Sequence, residues 1–132
     1  MTEITKITKI TLLWYCVAGL LFAFMYLVIS DFYFYTIVQW PYNDPVGFWI
    51  SGGVMLVVGI TALMAFFKKE WEEIKLFFLF SIMWVAYMII MNIVAIAILS
   101  IPETPLMAMI TNIILLTFNL VLGIICWMKQ RS

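Results

Sequence analysis

The hydrophobic pattern of this chain consists of four long apolar segments joined by short polar connections. They cover residues about 10–30, 45–67, 74–100 and 105–128. At about 1.5 Å per residue, a helix of each length crosses a hydrocarbon core about 30 Å thick. The segments are apolar on every face, whereas spanning strands alternate lipid-facing and lumen-facing residues. The sequence therefore predicts an all-α fold, an integral membrane four-helix up-down bundle that forms a single transmembrane domain over residues 1–132.

Two of the predicted helices begin with a capping residue followed by proline. Asp44 precedes Pro45, and Thr104 precedes Pro105. A side-chain acceptor at the N-cap satisfies a free backbone N–H, and proline in the first turn sacrifices no helical hydrogen bond. These pairs predict where the second and fourth helices start.

The basic residues indicate how the chain crosses the membrane. All seven lie in the N-terminal segment, the connection of residues 68–75 or the C-terminal tail, while residues 31–44 and 101–104 have none. Lysine and arginine near span ends are retained on the cytoplasmic side. We therefore expect a multi-pass protein of the plasma (inner) membrane with both termini cytoplasmic. The seven residues are Lys6, Lys9, Lys68, Lys69, Lys75, Lys129 and Arg131.

The longer outer connection, residues 31–44, contains six aromatic side chains. Tyrosine and tryptophan rings favour the membrane–water boundary because they are amphipathic. We predict an aromatic loop across the outer end of the bundle, with a helical turn or two before Pro41.

Small residues predict where the helices contact each other, because helices in lipid associate through close backbone approach rather than a hydrophobic drive. They recur at helical spacing on the first two segments. The predicted packing residues are Gly19, Ala23, Gly52, Gly59 and Ala62.

The most polar residues within the segments are three asparagines, Asn92, Asn112 and Asn119, which Tyr26 and Tyr87 accompany. Asn92 and Asn112 lie at matching depth in neighbouring antiparallel helices, so their side chains can form a hydrogen bond with each other. Two interpretations stay open. The asparagines either join helices, at about 0.6 kcal/mol per bond, or line a polar ligand pocket or pathway.

Three acidic residues, Asp31, Asp44 and Glu103, form an expected acidic rim at the outer side. No basic residue is available there to pair with them. The rim is either a weak cation site or a simple consequence of the exclusion of lysine from this side.

Composition excludes several classes of chemistry. The chain has no histidine, and the interiors of the four segments have no ionisable acidic or basic residue. His-ligated metals and a histidine base are therefore absent, and we expect no cofactor and no metal site. Proton relays also require an intramembrane charge. We predict a non-enzyme, unless chemistry occurs at the outer rim or on a partner subunit. The few, dispersed basic residues predict no nucleic-acid partner.

Residues 45–63 contain a Gly-Gly pair, Gly52 and Gly53, followed by Gly59 on the same helix. This stretch resembles the second helix of DoxX-like small four-helix membrane proteins. The resemblance implies a four-helix fold rather than a particular activity.

Two functional classes follow from these features. The first is an accessory or interaction subunit, or a bundle that binds a lipid or small apolar ligand. The alternative is a small transporter or channel formed by homo-oligomerisation, with a pathway lined by asparagines. The expected partners are membrane lipid and either further copies of the chain or a larger membrane complex.

Overall fold

The computed structural model describes residues 2–131 and contains four long helices. They are α1 (Lys6–Leu27), α2 (Pro45–Phe66), α3 (Lys75–Ile98) and α4 (Glu103–Arg131). All four are long and apolar enough to cross a membrane. The predicted all-helical fold with four long apolar helices is confirmed. Within residues 2–131, extended pairing is limited to one isolated bridge, between Glu3 and Glu70.

Local capping sets the helix starts. The Asp44 side chain accepts a hydrogen bond from the backbone N–H of Gly47 at 3.0 Å, and Pro45 occupies the first turn, as predicted. α4 starts two residues earlier than expected, at Glu103, because the backbone N–H of Leu106 bonds to the Pro102 carbonyl. α1 also starts early, at Lys6, since the Thr5 hydroxyl caps it.

The bundle is built from two hairpins. α1 packs chiefly against α2, and α3 packs chiefly against α4. The hairpins meet each other less extensively, through α1 with α4 and α2 with α3. This difference leaves space between the hairpins.

The close contact between α1 and α2 depends on glycine. A Cβ atom added at Gly19 would lie 2.9 Å from the Met55 carbonyl oxygen, and one at Gly59 would lie 3.0 Å from the Leu20 backbone nitrogen. Gly19 and Gly59 thus face each other at the crossing. A Cβ at Gly52 would meet side-chain atoms of the last turn of α1 at 2.8 Å. Of the other predicted packing residues, Ala23 and Ala62 are buried.

One end of the bundle, which we call the basic end, brings together the N-terminal segment, the α2–α3 connection and the C-terminal part of α4. Its apolar interior comes from all four helices, and Leu12, Phe78 and Cys126 have no exposed surface. Cys126 donates from Sγ to the Thr11 hydroxyl at 3.2 Å. Both cysteines of the chain are buried free thiols.

A clasp at the basic end joins the N-terminal segment to α4. The buried Gln130 side chain accepts from the Thr5 backbone N–H at 2.7 Å and donates to the Glu3 carbonyl at 3.0 Å. The same segment pairs with the α2–α3 connection, since the Ile4 N–H donates to the Lys69 carbonyl at 3.0 Å. The two ends of the described chain therefore lie at the same end of the bundle.

Charged residues complete the α2–α3 connection. Lys9, from α1, donates to the carbonyl oxygens of Phe66 and Lys68, where α2 ends and cations are favoured. Lys68 forms an ion pair with Glu73 at 3.1 Å, and this interaction lowers the pKa of Glu73. The lysine that reaches the last carbonyls of α2 therefore comes from another helix, α1.

The other end, which we call the aromatic end, is formed by the α1–α2 and α3–α4 connections. A short π-helical segment, Phe32–Ile37, follows α1, in agreement with the helical turn predicted before Pro41. Gln39 then adopts a left-handed backbone conformation with φ 58°. The next N–H, that of Trp40, donates to the Phe34 carbonyl at 2.7 Å, which folds the loop back on itself.

Candidate functional site

Two adjoining cavities lie between the hairpins. The central cavity has a volume of about 70 Å³ and the loop-side cavity, nearer the aromatic end, has about 310 Å³. Tyr26, Met88 and Asn112 line both. The central cavity is otherwise lined by Tyr15, Ala18, Gly19, Phe22, Met55, Val58, Ser81, Trp84, Val85, Leu115, Leu116 and Asn119. The loop-side cavity is otherwise lined by Tyr33, Phe34, Val38, Trp40, Asp44, Gly47, Phe48, Ser51, Asn92, Ala108 and Met109.

The central cavity is an apolar space with a few polar groups. Ser81 Oγ and Trp84 Nε1 are buried and have no hydrogen-bond partner within residues 2–131. A buried polar group without a partner is costly and calls for an explanation, such as a bound water or ligand. Tyr15, by contrast, is satisfied, because its hydroxyl donates to the Asn119 carbonyl at 2.7 Å.

The loop-side cavity is framed by aromatic rings. Phe34 stacks on Phe48 with ring centroids 3.6 Å apart, and Tyr26 contacts both Phe34 and Tyr33. Burial raises the pKa of Tyr33 further above physiological pH, so it does not add a negative charge to the lining. The one acidic side chain in the lining is Asp44.

Four of the five predicted ligand or pathway residues line these cavities. Tyr26 and Asn112 line both, Asn119 lines the central cavity and Asn92 lines the loop-side cavity. Tyr87 lines neither: it is 52% exposed on the outside of α3, where its ring packs against Trp84.

The asparagine side chains have three different environments. Asn92 donates to the Met88 carbonyl of its own helix at 2.7 Å and does not form the hydrogen bond with Asn112 that their matching depth allows. Asn119 joins two helices, because its Oδ1 accepts from Trp14 Nε1 at 2.6 Å. Asn112 forms no side-chain hydrogen bond within the described chain. It is therefore the asparagine whose amide is available to a ligand.

The three predicted rim residues do not act together. All three are exposed, but Asp44 lines the loop-side cavity whereas Asp31 and Glu103 line neither cavity. Among residues 2–131, no three acidic, cysteine or histidine side chains gather as a metal site would require. A cation site composed of all three rim residues has no support from this arrangement.

Several cavity residues were missed by sequence reasoning, notably Tyr15, Phe22 and Trp84. A usable signal existed on α1: Tyr15, Gly19, Phe22 and Tyr26 follow one another at steps of four, three and four residues, the spacing of one helix face. No comparable signal marks Trp84, because α3 is apolar on all sides.

The lining groups can hold a ligand through apolar contact, aromatic faces and hydrogen bonds. The central cavity has no ionisable acid or base in its lining that would activate a hydroxyl such as Ser81.

Comparison with known proteins does not assign this site: no protein-family model, no curated protein and no solved structure matches the chain. The resemblance of residues 45–63 to DoxX-like proteins therefore stays a prediction.

Proposed function

We propose that this chain is a multi-pass membrane protein that holds a small, mostly apolar ligand between its two hairpins. The observation that carries the proposal is the pair of adjoining cavities, which share Tyr26, Met88 and Asn112. The volume of the loop-side cavity, about 310 Å³, falls within the range of roughly 300–1,000 Å³ that is usual for small-molecule sites. The central cavity adds space for about two water-sized groups at ~30 Å³ each.

The polar groups support an amphipathic ligand rather than a pure hydrocarbon. Asn112, Ser81 and Trp84 place unengaged hydrogen-bonding atoms around an otherwise apolar space. Cavities lined only by apolar groups stay dry and take apolar guests, whereas a few well-placed polar groups orient a ligand.

The basic end of the bundle favours retention of a ligand over conduction of a solute. Leu12, Phe78 and Cys126 are fully buried there and belong to a continuous apolar cluster of the four helices. A solute that entered through the aromatic end would meet this cluster rather than an exit. Flux through liposomes that exceeds that of empty liposomes would favour the transporter alternative instead.

An accessory role in a larger membrane complex is the second candidate. On α3, the buried side chains are limited to Phe78 and Ser81 in the described chain, so most of that helix is free to meet lipid or another protein. Purification in a mild detergent tests this role: a stoichiometric second protein would support it.

The proposed site is tested by native mass spectrometry of the protein in a mild detergent. We expect the wild-type chain to carry a co-purified small molecule. Asn112→Leu, which replaces the amide that both cavities share by an apolar group of the same branched shape, should lose it. Thr111→Val is the matched control, because Thr111 is exposed on the next position of the same helix and lines neither cavity. A clean apo mass for the wild type, or equal occupancy in the Asn112 variant, would contradict the proposal.

We also propose that the chain lies in the plasma (inner) membrane with its basic end on the cytoplasmic side. A background with Cys16 and Cys126 replaced by alanine allows single cysteines to be introduced at Asn43 or Lys69. A membrane-impermeant maleimide added to intact cells should label position 43 and leave position 69 unlabelled. The opposite pattern would reverse the topology.

A further inference from the structure

The loop-side cavity combines aromatic rings with a single carboxylate at an end of the molecule that has no basic residue. From this combination we infer that it binds the cationic group of an organic ligand, such as a quaternary ammonium. The inference rests on the proposed function, that a ligand occupies the cavities, and it names the chemical class of the ligand's polar end.

The charges of the chain are segregated between its two ends. All seven basic residues lie at the basic end, whereas Asp31, Asp44 and Glu103 lie at the aromatic end. All three carboxylates are exposed, so salt screens their fields, but Asp31 and Glu103 lie outside the cavity. Asp44, in the lining, is the charge that a bound ligand would meet at short range. An anionic ligand would find no positive side chain here and would be repelled by the Asp44 carboxylate.

The aromatic lining suits a cation with an apolar surface. Tyr26, Tyr33, Phe34, Trp40 and Phe48 surround the space. The face of an aromatic ring carries partial negative charge and attracts a cation within about 6 Å, most strongly for tryptophan. Quaternary ammonium groups are recognised in this way because they have no N–H to donate and therefore need no hydrogen-bond acceptor.

The backbone of the loop fixes the position of Trp40 beside the cavity. Gln39 adopts φ 58°, a left-handed conformation that is uncommon for a residue other than glycine. The Trp40 N–H then bonds to the carbonyl of Phe34, another cavity residue, at 2.7 Å. Strained backbone of this kind persists where the surrounding structure determines it and is concentrated at ligand sites.

Asp44 is held in place as the cap of α2. Its Oδ1 accepts from the Gly47 N–H at 3.0 Å. A quaternary ammonium has no N–H to donate, so its attraction to Asp44 is that of two opposite charges and requires no free acceptor site. Asparagine caps helices as well as aspartate does, so Asp44→Asn removes the charge and keeps the cap.

The experiment compares two probes of the same shape in an uncharged maltoside detergent, with protein-free micelles subtracted. Phenyltrimethylammonium is the cation, and tert-butylbenzene is its neutral isostere. By equilibrium dialysis, we expect the wild type to bind the cation at least tenfold more tightly than the isostere. Asp44→Asn should weaken cation binding about tenfold, and Trp40→Leu should weaken it several-fold. Asp31→Asn, the matched control outside the cavity, should change it less than twofold.

Salt and the neutral probe separate the failure of this inference from failure of the proposed function. Affinity for the cation should fall as sodium chloride is raised from 10 mM to 1 M, while affinity for the isostere should not. Equal binding of both probes, or equal effects of Asp44→Asn and Asp31→Asn, would overturn cation recognition but leave a ligand-holding cavity. Absence of binding of either probe, together with an apo wild-type mass, would overturn both.

Discussion

Replacement of Gly59 by alanine tests whether the α1–α2 contact depends on the absence of a side chain. The added Cβ would lie 3.0 Å from the backbone nitrogen of Leu20, whereas ordinary contacts of this kind begin at 3.4 Å. Two side-chain atoms of Leu20 lie at the same distance, but the backbone nitrogen cannot turn aside, so the two helices must separate by about 0.4 Å. Such overpacking costs about 1–3 kcal/mol. Alanine in place of glycine favours the helix by about 0.5–1 kcal/mol, so the net loss is about 0–2.5 kcal/mol.

Gly53 provides the control on the same helix. A Cβ atom there meets nothing within 4 Å. Gly53→Ala should therefore retain only the helix-propensity gain and stabilise the protein by up to about 1 kcal/mol. The two variants should differ by about 1–3 kcal/mol, the cost of overpacking alone.

The assay is reversible unfolding in mixed micelles, with the free energy obtained from the midpoint and slope of the transition. Gly19→Ala should resemble Gly59→Ala, because its Cβ would lie 2.9 Å from the Met55 carbonyl oxygen. The double variant should cost less than the sum, since both residues occupy one crossing and the first substitution already opens it. If Gly59→Ala and Gly53→Ala have equal stabilities, backbone contact at this crossing is not a source of stability.

Three further predictions concern the basic end. Gln130→Leu removes both hydrogen bonds of the clasp and leaves two backbone groups unpaired. We expect the free energy of unfolding to fall by about 1–3 kcal/mol and amide hydrogen exchange in the N-terminal segment to become faster. Lys9→Met removes the charged donor at the end of α2 and should cost about 1.5 kcal/mol or more in the same unfolding assay, whereas Lys6→Met, at an exposed position, should change stability little. The Lys68 ion pair lowers the pKa of Glu73 below its ordinary 4.5. The stabilisation that this ion pair gives is therefore fully present above pH 4.5 and disappears as the pH falls through the lowered pKa. Carboxyl ¹³C shifts should place the Glu73 titration midpoint below 4.5, and Lys68→Met should return it towards that value.

The four helices were predictable because the signals that specify them are local. Long apolar segments and the Asp44–Pro45 pair require no knowledge of tertiary contacts. The clasp formed by Gln130 could not be found in this way, since its partner Thr5 is 125 residues away in the chain. The same holds for Lys9, which caps a helix other than its own.

The candidate site was predictable only in part because these helices lack an amphipathic face. In a water-soluble bundle, the polar side of a helix shows which side is inside. Here both sides are apolar, so nothing local in the sequence distinguished Tyr87, which is exposed, from Trp84, which lines the central cavity. The asparagines were informative because polar groups avoid lipid, and all three line a cavity.

The uneven distribution of hydrogen bonds between the hairpins has a mechanical consequence. Within the described chain, those that link one hairpin to the other lie between the basic end and Asn119. Towards the aromatic end, the two halves of the protein are held by side-chain packing alone. Any separation of the hairpins would therefore pivot about the clasp. The displacement would grow with distance from the clasp, so the loop-side cavity would widen more than the core of the basic end.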